Sequence, residues 1–212
     1  MNIKTLNLGA LGTNCYILED AENKKCAIID PADNVGRILQ ETENLGLEVS
    51  CILITHAHFD HILALNDLYK KTGARVYIGH HDKKALKDPA LNLSGYMGEI
   101  FVFPGDADEI SEGSKITFGN ITLKVIETPG HTPGGVCYIS EKDECIFTGD
   151  TVFAEGIGRC DFPGGSYNSI LTSLNRVLDY PENYTLYPGH GPSTTIKNEK
   201  YNNPYYRKGQ SL

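Results

Sequence analysis

The chain has no close pair of cysteines, no long apolar run and no surplus of positive charge, and each absence removes a class of protein. Its six cysteines stand apart at positions 15, 26, 51, 137, 145 and 160, with no CxxC motif. Cys15, Cys26, Cys51, Cys137 and Cys145 lie in apolar, strand-like contexts, which reads as buried free thiols in a reducing compartment. No stretch approaches the roughly 18 apolar residues of a membrane span. Met1 to Gly9 lacks the basic start and apolar core of a secretory signal, so the expected location is the cytoplasm, without a membrane partner. Lys plus Arg number 19 against 27 Asp plus Glu, a formal net charge of −8 that argues against nucleic acid as a partner. Low-complexity segments and linkers are also missing. With 212 residues, 40% of them hydrophobic, the expectation is one domain over residues 1–212 with a substantial core, acting on a small molecule.

What is present is a repeated grammar of short apolar strands and amphipathic helices. Strands are expected at Ile3–Leu8, Asn14–Leu18, Cys26–Asp30 and Val49–Thr55, with a helix between the last two that Gly46 stops. A second helix is expected to start at Asp60, as its cap, and to run through Ile62, Leu63, Leu65 and Leu68 to Gly73. A strand at Arg75–Ile78 and a short polar helix around Asp82–Lys87 follow, and then residues 88–113, which show no period and read as a surface excursion over one face. The second half repeats the pattern, with strands at Lys115–Phe118, Ile121–Glu127, Val136–Ser140, Cys145–Thr148 and Thr185–Tyr187 around a helix carrying Ile170, Leu171, Leu174, Val177 and Leu178. Strands bunched in each half suggest two sheets packed face to face between helical layers, an α/β fold.

The chemistry lies where strands end. Thr55-His56-Ala57-His58-Phe59-Asp60-His61 follows the strand Cys51–Ile54; His131 and His190 each sit in a Pro-Gly-His turn; Asp150 ends Phe147-Thr148-Gly149-Asp150. In an extended turn His56 and His58 project to one side and can reach one ion, while Asp60 and His61 can face a neighbouring one. A lone histidine beside a core strand is usually an ordinary core residue, but this ordered set is not a lone histidine. Imidazole and carboxylate together suit zinc, iron or manganese, with zinc the default. Asp30, at a strand end before Pro31, is either a turn residue or an orienting partner for a ligand imidazole. Arg159 could anchor a substrate carboxylate, although an internal pair with Asp161 is the favoured reading. His80 and His81 belong to no such motif and read as surface residues, and Tyr205 and Tyr206, near Arg207 and Lys208, as tail packing.

The set Thr55–His61, Thr128–Gly134, Gly149-Asp150 and Pro188–Gly191 resembles the metallo-β-lactamase superfamily over nearly the whole chain. Gly158–Gly165 and the tail Glu199–Tyr205 resemble its glyoxalase II-like branch. The resemblance implies a four-layer αββα sandwich with two divalent metal ions at the sheet edges. It implies His56, His58 and His131 on the first ion, Asp60, His61 and His190 on the second, and Asp150 bridging. Two departures stand out. Glyoxalase II proper has a long helical C-terminal extension that supplies its glutathione site, whereas 22 residues follow His190 here; and Cys160 stands where many relatives have threonine.

The expected function is hydrolysis of a small acyl thioester or ester. A bridging hydroxide, between ions roughly 3.5 Å apart, would attack, positioned by Asp60 and Asp150 as the catalytic carboxylates. A thiolate with a pKa of roughly 8.5 leaves without a strong general acid, which favours the thioester. Two rivals use similar cages: a persulfide dioxygenase-like oxidoreductase with one iron, and a phosphodiesterase. A β-lactamase is set aside on Asp60 and on the lack of an export signal.

Overall fold

A computed structural model describes residues 1–98 and 100–206. The first half contains β1 (Asn2–Leu8), β2 (Thr13–Asp20), β3 (Lys25–Ile29), α1 (Val35–Asn44), β4 (Glu48–Ile54), α2 (Phe59–Ile62), α3 (Leu65–Thr72), β5 (Arg75–Gly79), α4 (Ser94–Met97) and β6 (Asp108–Ile110). Its six strands form one sheet in chain order, antiparallel from β1 to β3 and parallel from β3 to β6. The second half contains β7 (Lys115–Phe118), β8 (Ile121–Glu127), β9 (Val136–Ser140), β10 (Cys145–Gly149), a small hairpin of β11 (Val152–Phe153) and β12 (Gly156–Ile157), α5 (Tyr167–Leu178), β13 (Thr185–Pro188), β14 (Thr194–Thr195) and α6 (Ile196–Asn202). Its main sheet runs β14-β13-β10-β9-β8-β7, and α5 crosses from β10 to its parallel neighbour β13.

Alternation along the central strands sorts side chains into three apolar layers, which makes the αββα sandwich. Cys15 and Ile17 of β2, with Ile28 of β3 and Ile52 of β4, pack under the helices of the first half. Their alternates Tyr16, Leu18, Ile29 and Leu53 meet Leu123, Val125, Tyr138 and Phe147 of the second sheet. On the far side, Ile126, Ile139 and Ile146 pack against Leu174, Val177 and Leu178 of α5. The five strand cysteines are buried free thiols, as expected, and burial pushes Cys26, Cys51 and Cys145 up to about 12. Among the described residues no helix is long and apolar enough to cross a membrane.

Three local expectations need correction. The helix expected from Asp60 to Gly73 is two helices, because the Ala64 N–H turns away to the Pro31 carbonyl at 3.0 Å. His58, with extended backbone, takes the N-cap position, so Asp60 lies in the first turn of α2 and is not its cap. The polar helix around Asp82–Lys87 is a 3₁₀ segment, His80–Lys87, and Asp82 within it is buried. Residues 88–113 are not simply a surface excursion. Phe101 and Phe103 enter the first core layer, β6 joins the sheet, and buried Asn92 donates to the carbonyls of Ala85 and Phe101. The tip around Tyr96, Met97 and Ile100 is exposed. Tyr206 packs beside the third layer, whereas Arg207 and Lys208 lie outside the described residues.

Candidate metal centre

Parallel strands point their carboxyl ends at one edge of the sandwich, the usual place for a site in such sheets. β3 ends at Asp30, β4 delivers His56 and His58, β10 delivers Asp150, and β13 delivers His190. Contacts between the halves fix this edge. The Val136 N–H donates to the Thr55 carbonyl at 2.9 Å, the Tyr16 hydroxyl to the Pro188 carbonyl at 2.6 Å, and the Asn14 N–H to the Gly189 carbonyl at 2.7 Å. Gly189 is required by close approach, since a Cβ there would lie 2.2 Å from Asp150 Oδ1 and 2.7 Å from His61 Cε1. All seven expected ligands converge. Their donor atoms fall into three overlapping groups, His56–His58–His131, His56–His61–Asp150 and Asp60–His61–His190, each with ligand atoms within 4.8 Å of one another.

Hydrogen bonds settle which ring nitrogens face inward. His61 Nδ1 lies 2.9 Å from Asp30 Oδ2, and a carboxylate only accepts, so Nδ1 carries the proton and Nε2 faces the cage. The Thr55 hydroxyl donates to the same Asp30 carboxylate at 2.7 Å, which leaves its oxygen to accept from His56 Nδ1 at 3.1 Å. Asp30 therefore orients His61 directly and His56 through Thr55, and is itself held by the Thr55 N–H at 2.8 Å. These are the hydrogen bonds an orienting partner of a ligand imidazole would make. Its backbone is left-handed, φ 49°, a conformation aspartate tolerates better than most residues. His131 Nδ1 donates to the Arg159 carbonyl at 2.6 Å, turning its Nε2 inward to within 2.8 Å of His58 Nδ1.

Buried, unpartnered atoms show what the cage is shaped to receive. His56 Nε2, His61 Nε2 and Asp150 Oδ1 have no hydrogen-bond partner, an expensive arrangement unless a cation fills it. Burial, followed by the neighbouring histidines, drives His56 far below its ordinary range and His58 down to about 3, so both present neutral lone pairs. Burial works against charge on His61 and His190 too, but Asp60 and Asp150 outweigh it, joined at His61 by Asp30, and hold both rings above their ordinary value. Asp60 and Asp150 are in turn held low by those histidines despite burial, and the Thr13 hydroxyl donates to Asp60 at 3.0 Å. Neutral imidazoles beside concentrated carboxylate charge fit a pair of divalent cations.

The model of the metallo-β-lactamase superfamily matches residues 8–190. The chain belongs to the metallo-β-lactamase superfamily. Within it, the hydroxyacylglutathione hydrolase GloC of Haemophilus influenzae is 33% identical over 208 residues, 97% of this chain and 98% of that protein. Two solved structures superpose closely. BLEG-1, described as a B3 metallo-β-lactamase, has a TM-score of 0.91 at 36% identity over 96% of this chain and 99% of its own. TTHA1623, in a di-iron-bound form, has a TM-score of 0.87 at 32% identity over 96% and 100%.

Arg159 donates through Nε and Nη2 to Asp161, both at 2.7 Å, and its guanidinium lies 4.0 Å from the centre of the Phe162 ring, so the internal pair is the observed arrangement. Asp82, expected only as the start of a polar helix, belongs to the site. One of its oxygens accepts the Ala57 N–H at 3.2 Å and the other the Gly134 N–H at 2.7 Å, clipping the His56–His58 turn to the turn after His131. No spacing could announce this, because Gly134 and Asp82 meet only through tertiary packing. Asp82→Ala is expected to weaken binding of the first ion about 10- to 100-fold, the range for lost outer-shell support. Chelator competition with elemental analysis reads it, and an unchanged affinity would remove the clip from the account. His80 and His81 are exposed and outside the cage, with His80 paired to Glu109.

Proposed function

We propose that the protein is a metal-dependent hydrolase of an acyl thioester or ester, using two divalent ions, zinc or iron, with His56, His58, Asp60, His61, His131, Asp150 and His190 as ligands. The observation that carries this is the set of unpartnered cage atoms beneath an open cavity, into which His58, Asp60, His131, Asp150 and His190 face. When bound, divalent ions supply Lewis acidity and lower the pKa of water toward 7. The chain's own part is positional. Asp60, fixed by Thr13, presents a carboxylate that can take a proton from attacking water, and Asp150 holds the opposite side of the cage. The Asp30 relay keeps two imidazoles turned inward without rearrangement, which is how a preorganised site lowers a barrier. The name of GloC is consistent with a thioester substrate.

The test combines elemental analysis, oxygen uptake and thiol release from S-lactoylglutathione and simpler thioesters, with a β-lactam and a phosphodiester as controls. About two ions per chain, thiol release and no oxygen uptake are expected. One strongly bound iron with oxygen consumption would make the protein a dioxygenase instead. Asp60→Asn keeps an oxygen ligand but cannot hold a proton, and is expected to slow the chemical step about 10²-fold or more while at least one ion remains. Near-normal turnover in that variant, with metal content verified, would defeat the proton-holding role.

A further inference from the structure

We propose that the preferred substrates carry an uncharged, apolar acyl group seated in the cavity above the cage, with a polar carrier thiol left in solvent. This rests on the hydrolytic reading of the cage. The cavity, about 610 Å³, is large enough for a medium-length chain or an aryl group. Its walls come from four separate places: Leu11 in the β1–β2 turn, Phe59 at the start of α2, Leu93 and Met97 around α4, and Phe153 and Phe162 from the second half. Leu11 is 55% and Met97 59% exposed, an unfavourable placement for apolar side chains, and both stand at the mouth of this cavity.

Charge points the same way. Arg159 is the one lysine or arginine among the described residues lining the cavity. Its fork is engaged on Asp161 and its face on Phe162. A substrate carboxylate would have to displace Asp161 and then lie beside it, losing as much as it gained. An acyl chain meets no such competition. Biological carrier thiols bear phosphates, carboxylates or amides that favour water, so the acyl side is the part an apolar wall can select.

The experiment measures kcat/KM for acetyl, butyryl, hexanoyl and octanoyl thioesters of N-acetylcysteamine, a neutral thiol, and for its succinyl thioester. Each added methylene is expected to raise kcat/KM about fourfold until the cavity is filled. The succinyl thioester, the butyryl length with an added carboxylate, should fall about tenfold or more below butyryl. Met97→Glu should flatten the chain-length slope. Hydrolysis with a flat or falling series, a preference for succinyl or lactoylglutathione, or an unaltered slope in Met97→Glu would overturn the inference while leaving the hydrolase standing. If neither these thioesters nor the matching oxygen esters are cleaved, the hydrolase reading fails by itself. Calorimetric binding of S-butyl, S-hexyl and S-octyl N-acetylcysteamine then decides the cavity: affinity that grows with chain length upholds an apolar ligand, and chain-independent affinity overturns it.

Discussion

Asp150→Ala is expected to lower kcat/KM about 10³-fold or more and to reduce bound metal from about two ions per chain to fewer than one. The reason is the position of one carboxylate between both sets of ligands. Asp150 Oδ1 lies 3.4 Å from His61 Nε2, while Oδ2 lies 3.5 Å from His131 Nε2 and 3.6 Å from His190 Nε2. No other carboxylate of the cage lies this close to three imidazoles. With Asp150 as the shared ligand, its loss would remove a ligand from each ion and the negative charge that would keep two cations close together. Asp60 faces only His61 and His190, so its asparagine variant is the milder lesion. Elemental analysis alongside steady-state kinetics gives the answer. A variant that keeps two ions and turns over normally would exclude Asp150 as the shared ligand.

Stripping the metal should be nearly as severe, this time in stability. An ion held at a free concentration a thousandfold above its Kd stabilises the folded chain by about 4 kcal/mol, so two give about 8. For a domain of this size about 1 kcal/mol shifts Tm by 2–4 °C, which makes the expected difference between loaded and stripped protein about 15–30 °C. The difference should also widen as pH rises. Folding raises His61 and His190 above the ordinary imidazole value, so their protons stabilise the stripped chain at low pH. That contribution is fully present below the unfolded pKa and is lost as pH climbs through the raised values, where competition by protons for the metal also ends. Scanning calorimetry of both forms at several pH values, with metal content checked, measures the gap. Coincident melting curves after confirmed metal loss would show that the cage contributes nothing to stability.

Much of this was legible in the sequence, for physical reasons. Strands buried on both faces advertise themselves as apolar runs, and although one histidine after such a run is usually an ordinary core residue, the ordered set that includes His56, His58, Asp150 and His190 marks a shared edge. Asp30 did not, because a turn aspartate and an orienting aspartate look alike until Thr55 and His61 are seen against it. The break after Ile62 was invisible because it is caused by the Pro31 carbonyl, a partner half a sheet away in sequence. Asp82 and the cavity walls were invisible for a related reason. Leu11, Met97 and Phe153 share no period and no element, and a cavity is a product of how elements pack.

Each of the three ligand groups draws on both halves of the chain: His131, Asp150 or His190 completes every set begun by residues 56 to 61. An ion so held is a rivet through two plates. It can leave by local loosening of a turn only if one plate alone retains it for a time, and neither plate holds a full set. If release through the open cavity is slow, the route of escape is a parting of the sheets. Metal exchange with a chelator should then be slow, with the steep temperature dependence of global unfolding and a rate insensitive to chelator concentration once capture outruns reclosing. By that route, the lifetime of the bound metal would become a clock for the separation of the two halves.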